Sequence, residues 1–131
     1  MPYSGEPIHD GTGFLWIGQG LVTGQELIDG GAGAVVRLQA HENITHMIAD
    51  FTLATSFQVS VEEVMKVGEI DRRNAEFLPN QHIALVVPTG LGQYLASIYG
   101  QLKAPQGWTI RIFHTRTEAD AWLATVVPIK G

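Results

Sequence analysis

The sequence of 131 residues contains no cysteine. Without cysteine the chain can form no disulfide, no thiolate metal site and no cysteine nucleophile. Basic residues are also scarce, because eight Lys and Arg stand against thirteen Asp and Glu, for a formal net charge of −5. The one adjacent basic pair, Arg72-Arg73, is surrounded by acids. Because phosphate binding needs clustered Lys and Arg, this balance argues against nucleic acid and anionic membrane surfaces as partners.

Long apolar runs are missing as well. No run approaches the roughly 20 apolar residues of a membrane span. Residues 1–6 lack the basic start and the apolar stretch of a signal peptide, so we expect a cytoplasmic protein without a membrane span. The length and a hydrophobic content of 45% suit a single globular domain over residues 1–131. Residues 1–12, which contain Gly, Pro and His, are interpreted as a loosely held arm or an edge strand.

The fold class follows from one stretch of the chain, residues 82–113. His82–Val87 is a nearly continuous apolar run rich in β-branched residues, which is typical of a central strand buried on both faces. The next segment carries apolar residues at helical spacing from Leu91 to Leu102. A second apolar run begins at Trp108. Strand, helix and strand in this span predict a parallel βαβ unit.

Three Ser/Thr-x-x-Glu patterns predict further helices, with starts at Thr23, Ser60 and Thr115. The first of these helices contains three glycines within residues 30–33, each of which costs about 1 kcal/mol relative to alanine. A continuous helix and a break at these glycines therefore both stay open. In the second, the apolar spacing predicts a buried face made by Val61, Val64, Met65 and Gly68, with the polar run from residue 69 to 76 towards solvent.

Two further strands are predicted, at residues 14–17 and 44–51. Gly18 and Gly20 mark the end of the first strand or a bulge in it, and residues 52–59 are interpreted as a connector. Together with the βαβ unit, these elements predict an α/β fold. Its sheet is open and mostly parallel, with four or five strands and about four helices packed on it.

Three local signatures carry a family resemblance. They are Gly20-x-Val22-Thr23-x-x-Glu26-Leu27, the strand end Asp50-Phe51, and Arg111-Ile112-Phe113 followed by Glu118-Ala119-x-Ala121-Trp122-Leu123. These signatures resemble the STAS-like family of SpoIIAA-like domains, which is related to bacterial anti-anti-sigma factors. The resemblance spans about residues 14–127 and implies a four- to five-stranded sheet with helices in a cytoplasmic, non-enzymatic regulatory or ligand-binding domain.

One departure from the family pattern concerns regulation. The anti-anti-sigma branch carries an Asp-Ser-Ser-Gly stretch in which a serine is phosphorylated, and residues 50–60 contain no such motif. Ser60 is closest in position, but its spacing to Glu63 predicts a capping role. The resemblance therefore does not imply a phosphorylation switch here.

The helix start after the central strand differs from the other three. Glu26, Glu63 and Glu118 stand at the third helical position of those helices, where a carboxylate offsets the helix dipole. The stretch Thr89-Gly90-Leu91-Gly92 has no acid, so its positive end stays open to a small anion. It lacks the third glycine of a dinucleotide-binding loop and the lysine of a P-loop, which argues against a nucleotide.

The anion hypothesis has an apolar wall and a simpler alternative. Phe57 and Tyr94 are the candidate wall residues. The alternative is that Thr89 alone caps the helix and Gly92 packs against a neighbour. Trp16 and Phe57 are interpreted as part of a core, a dimer face or an apolar pocket.

Acid–base and metal chemistry have weak support in the sequence. Asp50 and His114 both follow or end predicted parallel strands, where open α/β sheets place their sites. An acid–base pair and simple loop anchoring with an exposed His114 are the two interpretations. The five histidines show no ligand spacing on one helix or strand, so we expect solvated or capping histidines, no metal and no cofactor.

These observations predict a non-catalytic STAS-like binding or regulatory module that acts through protein contacts. The alternative is a carrier or sensor of a small apolar or lipid-like anion at Thr89–Gly92, and the third is an enzyme that uses Asp50 and His114. A homodimer is expected because Trp16 starts a strand assigned to the sheet edge, and such edges are commonly covered by a partner.

Overall fold

The computed structural model describes residues 3–38, 44–88, 90–102, 104–105 and 107–128, without the side chains of 35–37 and 91. Five strands lie in the order β1-β2-β3-β4-β5, with β1 antiparallel to β2 and every other neighbouring pair parallel. The α/β prediction is confirmed. The elements are β1 (Tyr3–Ile8), β2 (Gly13–Thr23), α1 (Gly24–Leu38), β3 (His46–Gln58), α2 (Val61–Asn74), β4 (His82–Val86), α3 (Leu91–Gln101), β5 (Thr109–Phe113) and α4 (Arg116–Val126).

The predicted βαβ unit is β4-α3-β5, and its two strands are parallel. Val86 at the end of β4 is fully buried. The prediction of a central strand is confirmed, because β4 lies inside the sheet between β3 and β5. Residues 1–12, interpreted as an arm or an edge strand, contain β1, which pairs with β2 over its whole length. The edge on this side is therefore β1, and Trp16 on β2 is buried.

Strand β3 is longer than the sequence predicted. Residues 52–58 were expected to be a connector, but they continue the strand beside β2, which itself runs on to Thr23. The register between β2 and β3 shifts twice, between Ile17 and Gln19 and between Gly20 and Leu21, and each time β3 carries the extra residue. Gly18 and Gly20 thus lie opposite irregularities in the pairing and do not end β2. β4 pairs with β3 only as far as Asp50. The last part of β3 and the last part of β2 therefore form a two-stranded ribbon that extends past the rest of the sheet.

Local helix signals were reliable. All three capping boxes form, with hydrogen bonds between Thr23 and Glu26, between Ser60 and Glu63, and between Thr115 and Glu118. Helix α1 runs without a break through its three glycines. A Cβ at Gly30 would lie 2.8 Å from the ring of Tyr3, so glycine at this position lets α1 approach β1 closely.

The two faces of the sheet carry separate apolar clusters. We call them the α1–α3 face and the α4 face after the helices that cover them. The α4 face is a compact cluster in which Ile48, Ala84, Ala119 and Leu123 have no exposed surface. On the α1–α3 face, helices α1 and α3 contact the sheet and α2 packs against both of them.

Helix α2 buries only part of the face that was predicted. Val64 and Gly68 are buried, as expected, but Val61 and Met65 are 43% and 50% exposed. Ile70 and Asn74, from the run expected to face solvent, are buried. The inward side of α2 therefore extends into the polar run. Asp71 lies on this inward side, and its position matters for the site described below.

Candidate functional site

A cavity of about 160 Å³ lies between the sheet and the helices of the α1–α3 face. Its lining extends from Met47 near the amino end of β3 to Phe57 near the other end. The described lining is apolar apart from Tyr3, Asp71, Asn74 and Tyr99, with indole nitrogens on two tryptophans. The aromatic lining residues are Tyr3, Trp16, Phe51, Phe57, Tyr99 and Trp108.

Small residues along α1, β3 and α3 leave this space open. Gly31 and Ala34 line the cavity from α1, Ala49 lines it from β3, and Ala96 lines it from α3. A leucine-sized side chain at several of these positions would fill the space, because protein interiors are normally packed without such voids. The cavity is therefore a consequence of which positions carry Gly and Ala.

The aromatic wall is ordered by stacking. The ring of Tyr3 lies 5.5 Å from Trp16 and 5.8 Å from Phe51, nearly parallel to both. Phe51 in turn contacts the ring of Phe57 at 5.9 Å between centroids. The indole N–H of Trp108 donates to the carbonyl of Leu78 at 2.7 Å, so it already has a hydrogen-bond partner and needs none from a ligand.

The polar part of the lining is a hydrogen bond between two helices. The hydroxyl of Tyr99 on α3 donates to Oδ2 of Asp71 on α2. Burial raises the pKa of Asp71 from 3.8 to about 6, although the bond from Tyr99 and the charge of Arg72 oppose the shift. Burial, and then the charge of Asp71, also raises the pKa of Tyr3 and of Tyr99. One turn along α2, Asn74 donates to the carbonyl of Gly31 at 2.9 Å.

The predicted anion site looks different in the structure. Thr89 lies outside the described residues, and the N-cap of α3 is Gly90, at a φ of 92° and without a side-chain cap. The first turn does lack an acid, as predicted. Gly92, however, is buried, and a Cβ there would lie 2.7 Å from Val87 and 2.8 Å from Phe57. Gly92 therefore packs against its neighbours, as the simpler alternative expected, whereas the capping role of Thr89 in that alternative lies outside the described residues.

The two residues predicted to form an apolar wall, Phe57 and Tyr94, lie in different environments. Phe57 lines the cavity, so the pocket interpretation of Trp16 and Phe57 agrees with their positions. Tyr94 is 58% exposed and is not among the lining residues. No sequence signal pointed to Asp71 or Tyr3, because both lay in segments interpreted as solvated or loosely held.

Asp50 and His114 are not joined by any contact in the described part of the chain. Asp50 accepts a hydrogen bond from the backbone N–H of Thr52 at 2.9 Å and lies 3.5 Å from the guanidinium of Arg116. His114 is exposed. β3 continues past Asp50, so this residue is not at a strand end, although it lies level with Val86 at the end of β4. These contacts support the anchoring interpretation.

The histidines form a cluster that the sequence did not predict. His46 is fully buried, and its ring nitrogens lie 2.8 Å from Nδ1 of His9 and 2.9 Å from the hydroxyl of Thr45. His82 is its neighbour on β4. Burial, with the charges of His9 and His82, lowers the pKa of His46 from 6.5 to about 4. The expectation of a solvated histidine was wrong for His46.

Comparisons with known proteins bear on the fold. No helix in the described part of the chain is long and apolar enough to cross a membrane. No family model and no curated protein matches the chain. A search of solved structures finds the anti-sigma factor antagonist SpoIIAA in its unphosphorylated form, at 8% identity and a TM-score of 0.57, covering 95% of this chain and 99% of that one. The chain thus has the STAS-like fold of SpoIIAA that the resemblance predicted.

Proposed function

We propose that this protein is a non-catalytic cytoplasmic module that binds one small, mainly apolar molecule in the cavity of the α1–α3 face. The observation that carries the proposal is the cavity itself, at about 160 Å³ with an aromatic wall. Ligand pockets are typically concave, apolar and supplied with a few polar groups. The hydrogen-bonded pair of Asp71 and Tyr99 is such a polar group.

The size of the cavity limits the ligand. An enclosed apolar cavity of about 150 Å³ in another protein stays free of water and binds benzene. A molecule with one six-membered ring and a short polar tail is therefore about the largest that fits without movement of the helices. A lipid with a long chain would need the helices of this face to separate.

Binding is tested with 2-phenylethanol, a neutral molecule of this size. We expect its titration to shift amide signals of residues that line the cavity, such as Ala34, Ala49 and Ala96, in NMR spectra. Native mass spectrometry of the purified protein would reveal a ligand that co-purifies. Shifts confined to the α4 face, or no shifts at millimolar concentration, would overturn the proposal.

A cavity-filling variant provides the matched test. Ala49→Leu places a larger side chain into the cavity from the sheet, so we expect 2-phenylethanol binding to be lost while the fold is kept. Ala124→Leu makes the same chemical change at an exposed position on α4 and should leave binding unchanged. Equal affinity of Ala49→Leu and the wild type would show that the probe binds elsewhere.

A second candidate function is regulation through protein contacts. The fold is that of a protein described as an anti-sigma factor antagonist, which supports a role of this kind. The specific observation is the ribbon of β2 and β3, where Leu21 and Leu53 are 47% and 60% exposed and β3 has no β4 neighbour beyond Asp50. Exposed strands with apolar side chains are surfaces that partners cover.

A second copy of the chain is the simplest partner to test. We expect light scattering to show a homodimer whose population rises with concentration, and Leu53→Glu to weaken it at least tenfold. Phe77→Glu serves as the control, because Phe77 is 59% exposed but lies outside the ribbon. A wild-type mass that stays monomeric at all concentrations would rule out this homodimer.

A further inference from the structure

The charges around the cavity select the kind of molecule that it can hold. Among its described lining residues there is one carboxylate, Asp71, and no Lys, Arg or His. The carboxylate ion pairs of the described chain join Asp50 and Asp120 to Arg116, and none involves Asp71. An anionic ligand would bring a second negative charge beside Asp71, and like charges in a poorly solvated site repel strongly. The charge of Asp71 therefore disfavours an anion in this cavity.

We propose that the cavity takes a small apolar monoamine, whose ammonium group pairs with the Asp71 carboxylate while its ring lies against the aromatic wall. This inference rests on the proposed function, because it names the class of molecule that the same cavity binds. A protonated amine supplies the positive charge that the described lining lacks.

Asp71 has acceptor capacity for such a group. An ionised carboxylate offers about four lone-pair sites on its two oxygens. Tyr99 donates to Oδ2, which leaves sites for the N–H groups of an ammonium. The Tyr99 bond also holds the carboxylate in place between α2 and α3, so an incoming cation meets a positioned partner rather than a free side chain.

The aromatic rings favour a cation for a separate reason. The face of an aromatic ring carries partial negative charge and attracts ammonium groups. Tyr3 and Asp71 line the same cavity, and the ring of Tyr3 is stacked with Trp16 and Phe51. Burial, and then the charge of Asp71, raises the pKa of Tyr3. An ammonium group in this cavity would therefore meet both a carboxylate and aromatic rings.

The test compares three molecules with the same ring and different polar ends: phenethylamine, 2-phenylethanol and 3-phenylpropanoate. At pH 7.5 we expect calorimetry to show phenethylamine binding at least tenfold more tightly than the alcohol, and the carboxylate binding more weakly than both. Asp71→Asn removes the charge and keeps an oxygen that can accept from Tyr99. This variant should lose at least tenfold in affinity for the amine and less than threefold for the alcohol.

Glu69→Gln is the matched control. It removes one negative charge from an exposed position two residues away on α2, so amine binding should not change. Equal binding of amine and carboxylate to the wild type, or an unchanged amine affinity in Asp71→Asn, would overturn this inference and leave the proposed function standing. If none of the three molecules binds, both fail together. The comparison of ligands on the wild type holds even if Asp71→Asn does not fold.

Discussion

The two faces of the sheet are covered in different ways. On the α4 face one helix packs directly on the strands, and its central residues have no exposed surface. On the α1–α3 face three helices leave a cavity that contains a carboxylate and two tyrosines. Both faces are apolar in sequence, so the difference lies in the size of the side chains and in what faces inward. The α4 face is thus closely packed, whereas the α1–α3 face has the space that the proposed ligand needs.

The largest expected effect is on the α4 face. Leu123→Ala should lower the free energy of unfolding by about 4 kcal/mol, because it leaves a new hole in a closed cluster. Leu95→Ala, on α3 beside the cavity, should cost only about 2 kcal/mol, because part of that side chain already lacks neighbours. Chemical denaturation of both variants measures the contrast. Equal losses would mean that the two faces are packed alike.

The second expected effect is a loss of stability in acid that originates on the α4 face. His46 shares this face with Ile48, and its pKa is lowered to about 4 in the folded protein. The His46 side chain therefore binds a proton more readily in the unfolded chain than in the folded protein. The stabilising contribution is complete above about pH 6.5 and disappears as the pH falls towards 4, an effect of the order of 3 kcal/mol.

Denaturation between pH 4 and 8 measures this dependence. His46→Gln should flatten the decline below pH 6.5, whatever its effect at neutral pH. His114→Gln changes an exposed histidine and should keep the wild-type slope. An identical acid response of His46→Gln and the wild type would assign the decline to other groups.

The third effect has the opposite sign and comes from the α1–α3 face. The pKa of Asp71 is raised to about 6 in the folded protein, so its contribution to stability is complete below about pH 3.8 and is lost as the pH rises through 6. Asp71→Asn should therefore be more stable than the wild type at pH 7–8, with the advantage shrinking as the pH falls towards 4. Thermal melts across this range are the measurement. A variant less stable than the wild type at pH 8 would contradict it.

The smallest effect distinguishes two glycines of the same helix. Gly33 has open space where a Cβ would be, so Gly33→Ala should stabilise α1 by up to about 1 kcal/mol. Gly30→Ala should destabilise instead, because its Cβ would lie 2.8 Å from the Tyr3 ring that belongs to the aromatic wall. Denaturation midpoints decide the sign of each change. Stabilisation by both would show that Tyr3 moves aside without cost.

The helices and the parallel unit were predictable because their signals are local. A capping box satisfies backbone groups within four residues. The continuous apolar run of β4 by itself indicates a strand that is buried on both faces. The continuity of α1 was less certain, because its glycines are unfavourable in isolation. Contact with Tyr3 explains why glycine is present at position 30.

The candidate site could not be predicted in the same way. Asp71 stands in a polar run that looks solvated, and only the packing of α2 on α1 and α3 turns it inward. Tyr3 lies in a segment with no strong strand pattern, and its pairing partner on β2 is distant in sequence. The sequence suggested an anion at the start of α3, and only the packing shows that Gly92 there lies against Phe57 near the far end of β3.

By itself, the sequence determined the four helices, most of the strands β2 to β5 and the parallel course of β4 and β5, since these depend on local patterns and on the length of the connections. The tertiary structure alone decided where β1 pairs and in which direction, how far β3 extends, that the polar run of α2 faces inward and that His46 is buried. Each of these depends on the packing of elements far apart in the chain, where small residues leave space and large ones fill it. The cavity belongs to this second group, because its walls come from seven different elements and no single segment contains it.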